Sequence, residues 1–266
     1  MNARRSLRLG LAVLTAGLAI TSVTACSASG SNLDDIKSHG AITIGTSGNN
    51  APTIFRDPQG GFVGIDADWA GIIAKGLGAK VEWKTLDFSG IVPGLQAKKF
   101  DIAMSGLRVT PDRQKVIDFS EPIGYDDAVA VYAQKETGIT GPESIKGKSV
   151  CVVAGSSNGE APVQRIGGAA KVTRYPGQAE AFSDLKNGRC DLMVTGRILA
   201  LYWIKSGDGA GYTVSQNGTD GTPLAVGVPK GSDALLQAIN KAIADAKKTG
   251  AYQSIAQKWL GQPFRQ

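Results

Sequence analysis

Histidine and cysteine are scarce in this chain of 266 residues, which contains one histidine and three cysteines. No His/Cys spacing in it fits a zinc site, and a Ser-His-Asp triad has no credible candidate. The single histidine, His39, precedes the first predicted strand, and we expect it to be exposed to solvent. We therefore expect no metal, no other cofactor and no triad chemistry.

Aromatic residues and net charge are also low. Aromatics make up 6% of the chain, and the formal charge is +6. Residues 1–25 hold three arginines and no acid, so the remaining chain carries only +3. That excess is too small to indicate nucleic-acid binding. A hydrophobic content of 42% and 35 glycines fit a loop-rich α/β protein with a real core, of one large or two small domains.

The N-terminus has the order of a secretory signal. Three arginines precede an apolar run over residues 9–20, and small residues follow. The run is short for a membrane span. It ends in VTAC, which resembles a bacterial lipobox and implies cleavage before Cys26 and a lipid on its thiol. We expect residues 1–25 to be a signal peptide and residues 26–32 a tether; a signal peptide without lipidation is the alternative.

The first half of the chain alternates strands and helices. The hydrophobic pattern predicts a strand over 41–45, a helix over 66–77, a strand at 81–83, a helix capped by Ser89 and a strand ending at Met104. This β-α-β-α-β order predicts a parallel sheet with helices on both faces.

A second α/β unit follows. Strands and helices alternate again over residues 128–204, a polar loop covers 207–222, and a strand over 224–228 leads back. We expect the chain to cross between the two units near 123–127 and again near 221–224. Ligands in such sheets bind off the carboxyl ends of the strands, so two facing lobes predict a cleft that hinges shut.

The stretch over residues 103–120, AMSGLRVTPDRQKVIDFS, carries the strongest functional signal. Thr110 is a helix N-cap followed by proline at the first helical position. Arg113 lies in that first turn, where the helix dipole disfavours a cation. One interpretation is a guanidinium that holds a carboxylate in two parallel hydrogen bonds. The other is a surface arginine paired with Asp112 or Asp118.

This stretch also resembles a known family. SGLRVTPDRQKVIDFSEPI is similar to the signature of solute-binding protein family 3, the polar amino-acid-binding proteins of ABC importers, whose usual form is close to AGMTITPERAKQVDFSDPY. The resemblance extends from about residue 42 to 261 and includes VGIDADWAGIIAKGLGAKVEW, IKGKSVCVVAGSS and AEAFSDLKNGRCDLMVTG. It implies a type II periplasmic-binding-protein-like fold of two lobes, each a mostly parallel sheet flanked by helices.

The resemblance also implies how the chain is divided and what it does. Residues 33–124 would begin lobe 1, residues 125–222 would form lobe 2, and residues 223–266 would return to lobe 1. The implied function is a non-catalytic receptor that captures a small carboxylate-bearing solute and delivers it to a membrane permease. We expect a monomer that is exported and lipid-anchored outside the cell membrane.

The family's binding residues transfer to this sequence position by position. Arg113 matches the arginine that clamps the ligand's α-carboxylate. Ser105 and Gly106 assist from just upstream, and Ser156 and Ser157 from the other lobe. Phe88 matches an aromatic that packs on the ligand. The simpler alternatives are a turn and helix cap for 155–157 and a core role for Phe88.

Three departures from the family pattern bear on the ligand. The usual Thr or Ser is Arg108, a covering aromatic is Asn50, and the ammonium-binding Asp is replaced by Gly196 and Arg197. A buried ammonium without an acid partner is costly, so we expect a ligand more anionic than a neutral amino acid. In the alternative, Arg108 points to solvent and specificity is ordinary.

Two other functions compete with transport. Cyclohexadienyl dehydratases resemble this family, but an acid/base group would be needed in the cleft. The remaining acids are interpreted as structural: Asp87, Glu121, Asp126 and Asp127. We therefore expect no enzyme activity. A ligand-sensing partner of a receptor kinase is not distinguishable from a transport receptor by sequence.

Cys151 and Cys190 each fall at the start of a predicted strand in the second unit. In an exported protein two such cysteines can pair, provided that their Cα atoms come within about 7 Å. Two separate buried thiols are the alternative.

Overall fold

The computed structural model describes residues 32–219 and 221–264. The predicted signal peptide, Cys26 and all of the predicted tether except Asn32 lie outside the described residues. Within the described part, none of the helices combines the length and the apolar character that a membrane crossing requires.

The first part of lobe 1 contains four helices and seven strands. In chain order they are α1 (Asn32–His39), β1 (Ala41–Thr46), β2 (Asn49–Asn50), β3 (Ile54–Arg56), β4 (Phe62–Val63), α2 (Ile65–Leu77), β5 (Lys80–Thr85), α3 (Phe88–Gln96), β6 (Ile102–Ala103), α4 (Pro111–Val116) and β7 (Ile117–Phe119).

Lobe 2 and the return to lobe 1 follow. The elements are β8 (Gly124–Asp126), β9 (Ala128–Ala133), a 3₁₀ turn (Pro142–Ile145), β10 (Ser149–Val153), α5 (Glu160–Ile166), β11 (Lys171–Tyr175), α6 (Gln178–Lys186), β12 (Leu192–Gly196), α7 (Arg197–Lys205), β13 (Tyr212–Val214), β14 (Thr222–Leu224), β15 (Gly227–Pro229), α8 (Asp233–Lys248) and α9 (Ala251–Leu260).

Each lobe is built on a five-stranded sheet. The order in lobe 1 is β5-β1-β6-β15-β7, and the order in lobe 2 is β11-β10-β12-β9-β13. Three neighbouring strands of each sheet run parallel, and the remaining strands pair antiparallel. The prediction of two α/β units with mostly parallel sheets is confirmed.

Helix α2 shows why the sequence folds this way. Trp69, Ile73 and Leu77 recur every four residues, lie on one face and are buried against the sheet of lobe 1. The helix ends at Gly78, which adopts the left-handed conformation with φ 69°. The predicted helix over 66–77 is therefore confirmed to within one residue.

Two crossing strands connect the lobes. Strand β8 lies between β7 of one sheet and β9 of the other, and β14 leads from β13 back to β15. The two pair antiparallel, with Tyr125 opposite Pro223. The crossings predicted near 123–127 and 221–224 are confirmed, and this ribbon is the hinge.

Several short elements were not predicted. The strands β2 and β13 lie in stretches expected to be loops, and β7 was not foreseen. Helix α3 begins at Phe88 after Asp87, so Ser89 is inside the helix and is not its N-cap. The strand expected over 224–228 is divided into β14 and β15. These strands have two or three residues, and tertiary pairing, not local pattern, determines them.

The second lobe contains a disulfide between Cys151 and Cys190, with Cα atoms 5.7 Å apart. Cys151 lies in β10, and Cys190 precedes the neighbouring parallel strand β12. The structure therefore agrees with the paired alternative and not with two separate thiols. His39 is exposed, as expected.

Candidate ligand-binding cleft

A cleft with a volume of about 610 Å³ lies between the lobes. Residues 49–53, Gly106 and Arg108 line it from lobe 1, and residues 155–158, Gln178 and the β12–α7 junction line it from lobe 2. Asp126 and Leu224 of the hinge strands close its back. The cleft follows the carboxyl ends of parallel strands, as the topology predicts.

Six of the ten predicted ligand-binding residues line this cleft. They are Asn50, Gly106, Arg108, Ser156, Ser157 and Gly196. The other four lie elsewhere: Phe88, Ser105, Arg113 and Arg197.

Gly106 has a conformation that favours glycine. Its φ is 63°, and a Cβ there would lie 3.0 Å from Nδ2 of Asn50 and 3.1 Å from Cγ2 of Thr53. Its amide donates to Oδ2 of Asp66 at 2.7 Å. This amide is thus occupied within lobe 1, while the residue itself brings the backbone to the cleft wall.

Asp66, behind Gly106, is a buried carboxyl group. Burial raises the pKa of Asp66 from 3.8 to about 7, and the hydrogen bond from Gly106 lowers it only in part. The carboxyl group of Asp66, which lies behind the cleft wall of lobe 1, therefore has a pKa near neutral pH.

An ion pair between Arg108 and Asp126 lies at the back of the cleft. Nη2 of Arg108 bonds Oδ2 of Asp126, which also accepts from Nδ2 of Asn158 at 2.7 Å. The backbone amide of Ile198 donates to Oδ1 at 3.0 Å. Burial raises the pKa of Asp126, and the charge of Arg108 and the Ile198 amide pull it back down.

This pair balances the charge of the cleft. Among the described residues that line it, Arg108 is the only cation and Asp126 the only acid. Nη1 of Arg108 also lies 3.5 Å from Oγ of Ser157 in lobe 2. Arg108 therefore faces the cleft and not solvent, which contradicts the alternative in which it points away.

The turn over residues 155–158, on the lobe 2 side of the cleft, forms most of its hydrogen bonds with neighbouring residues of the same segment. Oγ of Ser156 donates to the carbonyl of Val153 at 2.6 Å and accepts from the amide of Glu160 at 2.9 Å. The amide of Gly155 donates to Oε2 of Glu160 at 2.7 Å. The hydroxyl of Ser156 thus serves the turn, and Ser157 is the side chain directed at Arg108.

Arg113 lies behind Arg108 and not in the cavity lining. Its Nη1 donates to the carbonyl of Arg108 at 2.9 Å, and its guanidinium stands 5.5 Å from the ring centroid of Phe88. Desolvation and the nearby charge of Arg108 lower the pKa of Arg113. Phe88 is 46% exposed, so the core alternative for this residue is wrong.

The surface-pair alternative for Arg113 is also wrong. Asp112 pairs with Lys115, and Asp118 pairs with Lys230. Within residues 32–219 and 221–264 no carboxylate forms an ion pair with Arg113. Its first-turn position is stabilised instead by the Thr110 cap, whose Oγ1 accepts from the amide of Arg113 at 3.4 Å.

Two predicted contacts are corrected by the structure. Arg197 forms a buried two-point ion pair with Asp127, at 2.7 Å and 2.8 Å, and donates to the carbonyl of Ser215. Its guanidinium is fully engaged in the interior of lobe 2. Ser105 is fully buried, and its Oγ bonds the amide and hydroxyl of Ser47.

Sequence reasoning missed six polar residues of the cleft lining: Asn49, Thr53, Asp126, Asn158, Gln178 and Thr195. The sequence analysis interpreted Asp126 as structural. The available signal was its position, since the predicted crossing at 123–127 must pass behind the cleft.

Two lobes joined by two crossing strands, with a polar cleft between them, define a two-lobed solute-binding protein of type II. The sequence profile described as "Bacterial extracellular solute-binding proteins, family 3" matches residues 42–262. The chain belongs to this family, whose members act outside the cytoplasm.

Individual relatives agree with the family. The lysine/arginine/ornithine-binding periplasmic protein of Escherichia coli K12 is 31% identical over 82% of this chain and 87% of its own length. An ancestral cationic amino acid solute-binding protein, AncCDT-1, superposes with a TM-score of 0.79 at 33% identity, covering 86% of this chain and 100% of that one. The unliganded L-cystine receptor of Neisseria gonorrhoeae gives 0.77 at 26% identity, covering 89% and 99%.

Proposed function

We propose that this protein is the substrate-binding component of an amino-acid ABC importer, which captures a free amino acid between its lobes and presents it to a membrane permease. The observation that carries the proposal is the Arg108–Asp126 pair in the cleft. A guanidinium and a carboxylate side by side match the opposite charges of a zwitterion. The names of the relatives, which refer to amino acids, support the same ligand class.

The α-carboxylate would bind on the lobe 1 side of the cleft. Arg108 lies in the lining, and Arg113 supports it from behind through the Arg108 carbonyl. Ser157 is close enough to Arg108 to share the same carboxylate from lobe 2. Such charge-assisted hydrogen bonds contribute about 1.5–3 kcal/mol each.

Isothermal titration with a panel of the common amino acids tests this proposal. We expect at least one to bind, and Arg108→Ala to weaken it by at least tenfold. Ser183→Ala, on an exposed part of α6 away from the cleft, is the matched control and should bind as the wild type does. Failure of the whole panel, together with no amino acid released from the purified protein in mass spectrometry, would overturn the proposal.

A more anionic ligand stays a prediction, with weaker support. Arg108 and Arg197, the cations on which this prediction depends, are both paired with aspartates. The charge balance of the cleft favours a ligand whose main chain is zwitterionic. Preference for glutamate or aspartate over lysine, arginine and neutral amino acids in the same titration would restore the anionic hypothesis.

One observation supports the enzyme alternative, and another argues against it. Asp126 supplies an acid in the cleft, which the sequence argument took to be missing, and AncCDT-1 is described as a precursor of cyclohexadienyl dehydratase. However, Arg108, Asn158 and Ile198 all donate to this carboxylate and hold it in the cleft wall. A carboxyl group engaged in this way is not free to exchange a proton with a substrate. We expect NMR to detect no conversion of a cyclohexadienyl substrate by this protein.

Export and anchoring complete the proposal. The arginines, apolar run and VTAC sequence of the N-terminus support cleavage before Cys26 and acylation of its thiol. A single acyl chain binds membranes only marginally, so stable anchoring requires a second one. Feeding cells radiolabelled palmitate should label the wild-type protein and leave Cys26→Ser unlabelled; an unlabelled wild type would refute lipidation.

A further inference from the structure

The wall of the cleft at the start of helix α7 contains a glycine that the backbone does not require. Gly196 has φ −66° and ψ 138°, a conformation open to any residue. A Cβ on it, however, would lie 2.7 Å from Oδ2 and 3.3 Å from Oδ1 of Asp126. Nδ2 of Asn158 would lie 3.2 Å from the same Cβ. The position is therefore limited by space, which the Asp126 carboxylate and the Asn158 amide fill together.

This carboxylate is held from three directions. The amide of Ile198, in the first turn of α7, donates to Oδ1, while Asn158 of lobe 2 and Arg108 of lobe 1 donate to Oδ2. The positive end of the helix dipole adds to this stabilisation. The side chain of Asp126 is only 7% exposed, so its orientation is fixed before any ligand arrives.

The carboxylate still has capacity for another donor. Two carboxylate oxygens offer about four acceptor positions, and the three donors above leave one on Oδ1. Both Asp126 and its neighbours Gly196 and Ile198 line the cleft. A donor entering beside Arg108 would meet a fixed anion at this wall.

We propose that the absence of a side chain at Gly196 seats the Asp126 carboxylate in the cleft wall, and that Asp126 is the residue that binds the primary ammonium of the solute. Strand β8 thus supplies the anion, since the described residues of the β12–α7 junction and of the turn over 155–158 that line the cleft include no acid. This inference rests on the proposed function, because it assigns one group of the amino acid to one residue. The protein would then bind solutes with a free primary amine more tightly than analogues that lack it.

The first test removes the charge of Asp126 and keeps the shape of its side chain. Titration would compare an amino acid that the wild type binds with its deamino analogue, which keeps the carboxylate and side chain. We expect the wild type to prefer the amino acid by roughly 10- to 100-fold, as for one charged hydrogen bond. In Asp126→Asn this preference should fall to near unity.

The second test changes the position of the carboxylate in the cleft. It uses several variants, so the result does not depend on any single variant folding well. Gly196→Ala should weaken amino-acid binding, because the methyl group displaces Oδ2. Asp126→Ala should abolish the preference for the amine, and Asp126→Ala combined with Gly196→Asp should regain part of it. Gly221→Ala is the matched control near the hinge, since a Cβ there meets nothing closer than 3.8 Å.

The outcomes separate the two proposals. A wild type that binds no amino acid contradicts the proposed function, and this inference with it. A wild type that binds amino acids, with an Asp126→Asn variant that keeps the full preference for the amine, overturns only the inference. Circular dichroism of each variant establishes that a loss of preference does not come from unfolding.

Discussion

The least expected residue of lobe 1 is Asp66, which lies beneath the cleft and is 2% exposed. Within the described part of the chain, the hydrogen bond to its carboxyl group comes from the amide of Gly106, a residue of the cleft wall. A buried carboxyl group with a single donor pays for desolvation when it ionises. The protonation of Asp66 therefore couples protein stability to pH at the position where the backbone approaches the ligand.

The free energy of unfolding should fall as pH rises from 3.8 to about 7. In that window the native state keeps a proton on Asp66, whose pKa is about 7, while the unfolded chain has released it. The stabilising contribution is complete below pH 3.8 and lost above about pH 7. Urea unfolding across this range should show the slope in the wild type and a flatter profile in Asp66→Asn.

Asp112→Asn is the control for this experiment. Its side chain is 91% exposed and pairs only with Lys115, so the variant should keep the wild-type slope. An Asp66→Asn protein whose stability still falls with pH in the same way would assign the effect to other groups.

Arg197 gives the second prediction at the scale of a residue. Arg197→Met should destabilise the protein by about 3–5 kcal/mol, because it leaves the buried Asp127 without its guanidinium. Solute affinity of the folded protein should not change, since Arg197 is outside the cleft lining. Chemical unfolding and titration measure the two effects separately.

The double variant Arg197→Met/Asp127→Leu is the matched control, because replacing both members of a buried pair by apolar groups is often nearly neutral. If Arg197→Met weakened solute binding and left stability unchanged, Arg197 would be a residue of the binding site.

At the scale of elements, the disulfide fixes two neighbouring strands of lobe 2. Cys151 in β10 and Cys190 before β12 are separated by 39 positions in the sequence. Closing a loop of this length removes conformational entropy from the unfolded chain. The cross-link lies in the lobe 2 core, so it acts on stability and not on the cleft.

Loss of this disulfide should lower the free energy of unfolding by about 4 kcal/mol, from the entropy of the loop that it closes. Thermal unfolding of Cys151→Ala/Cys190→Ala measures the loss. Reductant should bring the wild type down toward the variant and leave the variant itself unchanged. Equal stability of the wild type with and without reductant would show that the bond contributes nothing.

At the scale of the whole molecule, the two lobes are joined by the paired strands β8 and β14. Arg108 already approaches Ser157 across the cleft, and a ligand carboxylate between them would add bonds to both lobes. Ligands shift such an equilibrium only through the difference in their affinity for the two states. Contacts made by both lobes at once provide that difference.

Binding should therefore make the molecule more compact. Small-angle X-ray scattering should show a smaller radius of gyration with a bound amino acid than without it. Arg108→Ala at a saturating concentration should show a smaller decrease, because one contact to the ligand is missing. An amino acid that titration shows not to bind serves as the control, and an unchanged radius with the bound ligand would contradict closure.

The sequence by itself determined the architecture and the lining of much of the cleft. Alternating hydrophobic periods predicted the helices and longer strands, and the boundaries between the two α/β units predicted both crossings. Thr110 and Pro111 predicted the start of α4. Six of the residues predicted to bind the ligand line the cleft: Asn50, Gly106, Arg108, Ser156, Ser157 and Gly196. Local pattern suffices for the helices, longer strands and caps because they depend on residues close together in the chain, whereas the cleft residues came from the resemblance to the family.

Only the tertiary structure decided the pairing of charges. Arg197 and Asp127 are 70 positions apart, and Asp126 meets Asn158 and Ile198 from 32 and 72 positions away. Charged side chains carry no sequence signal for which face of a strand will meet a partner, since the partner arrives with another element. For that reason the sequence placed Arg197 in the cleft and left Asp126 out, whereas folding does the reverse.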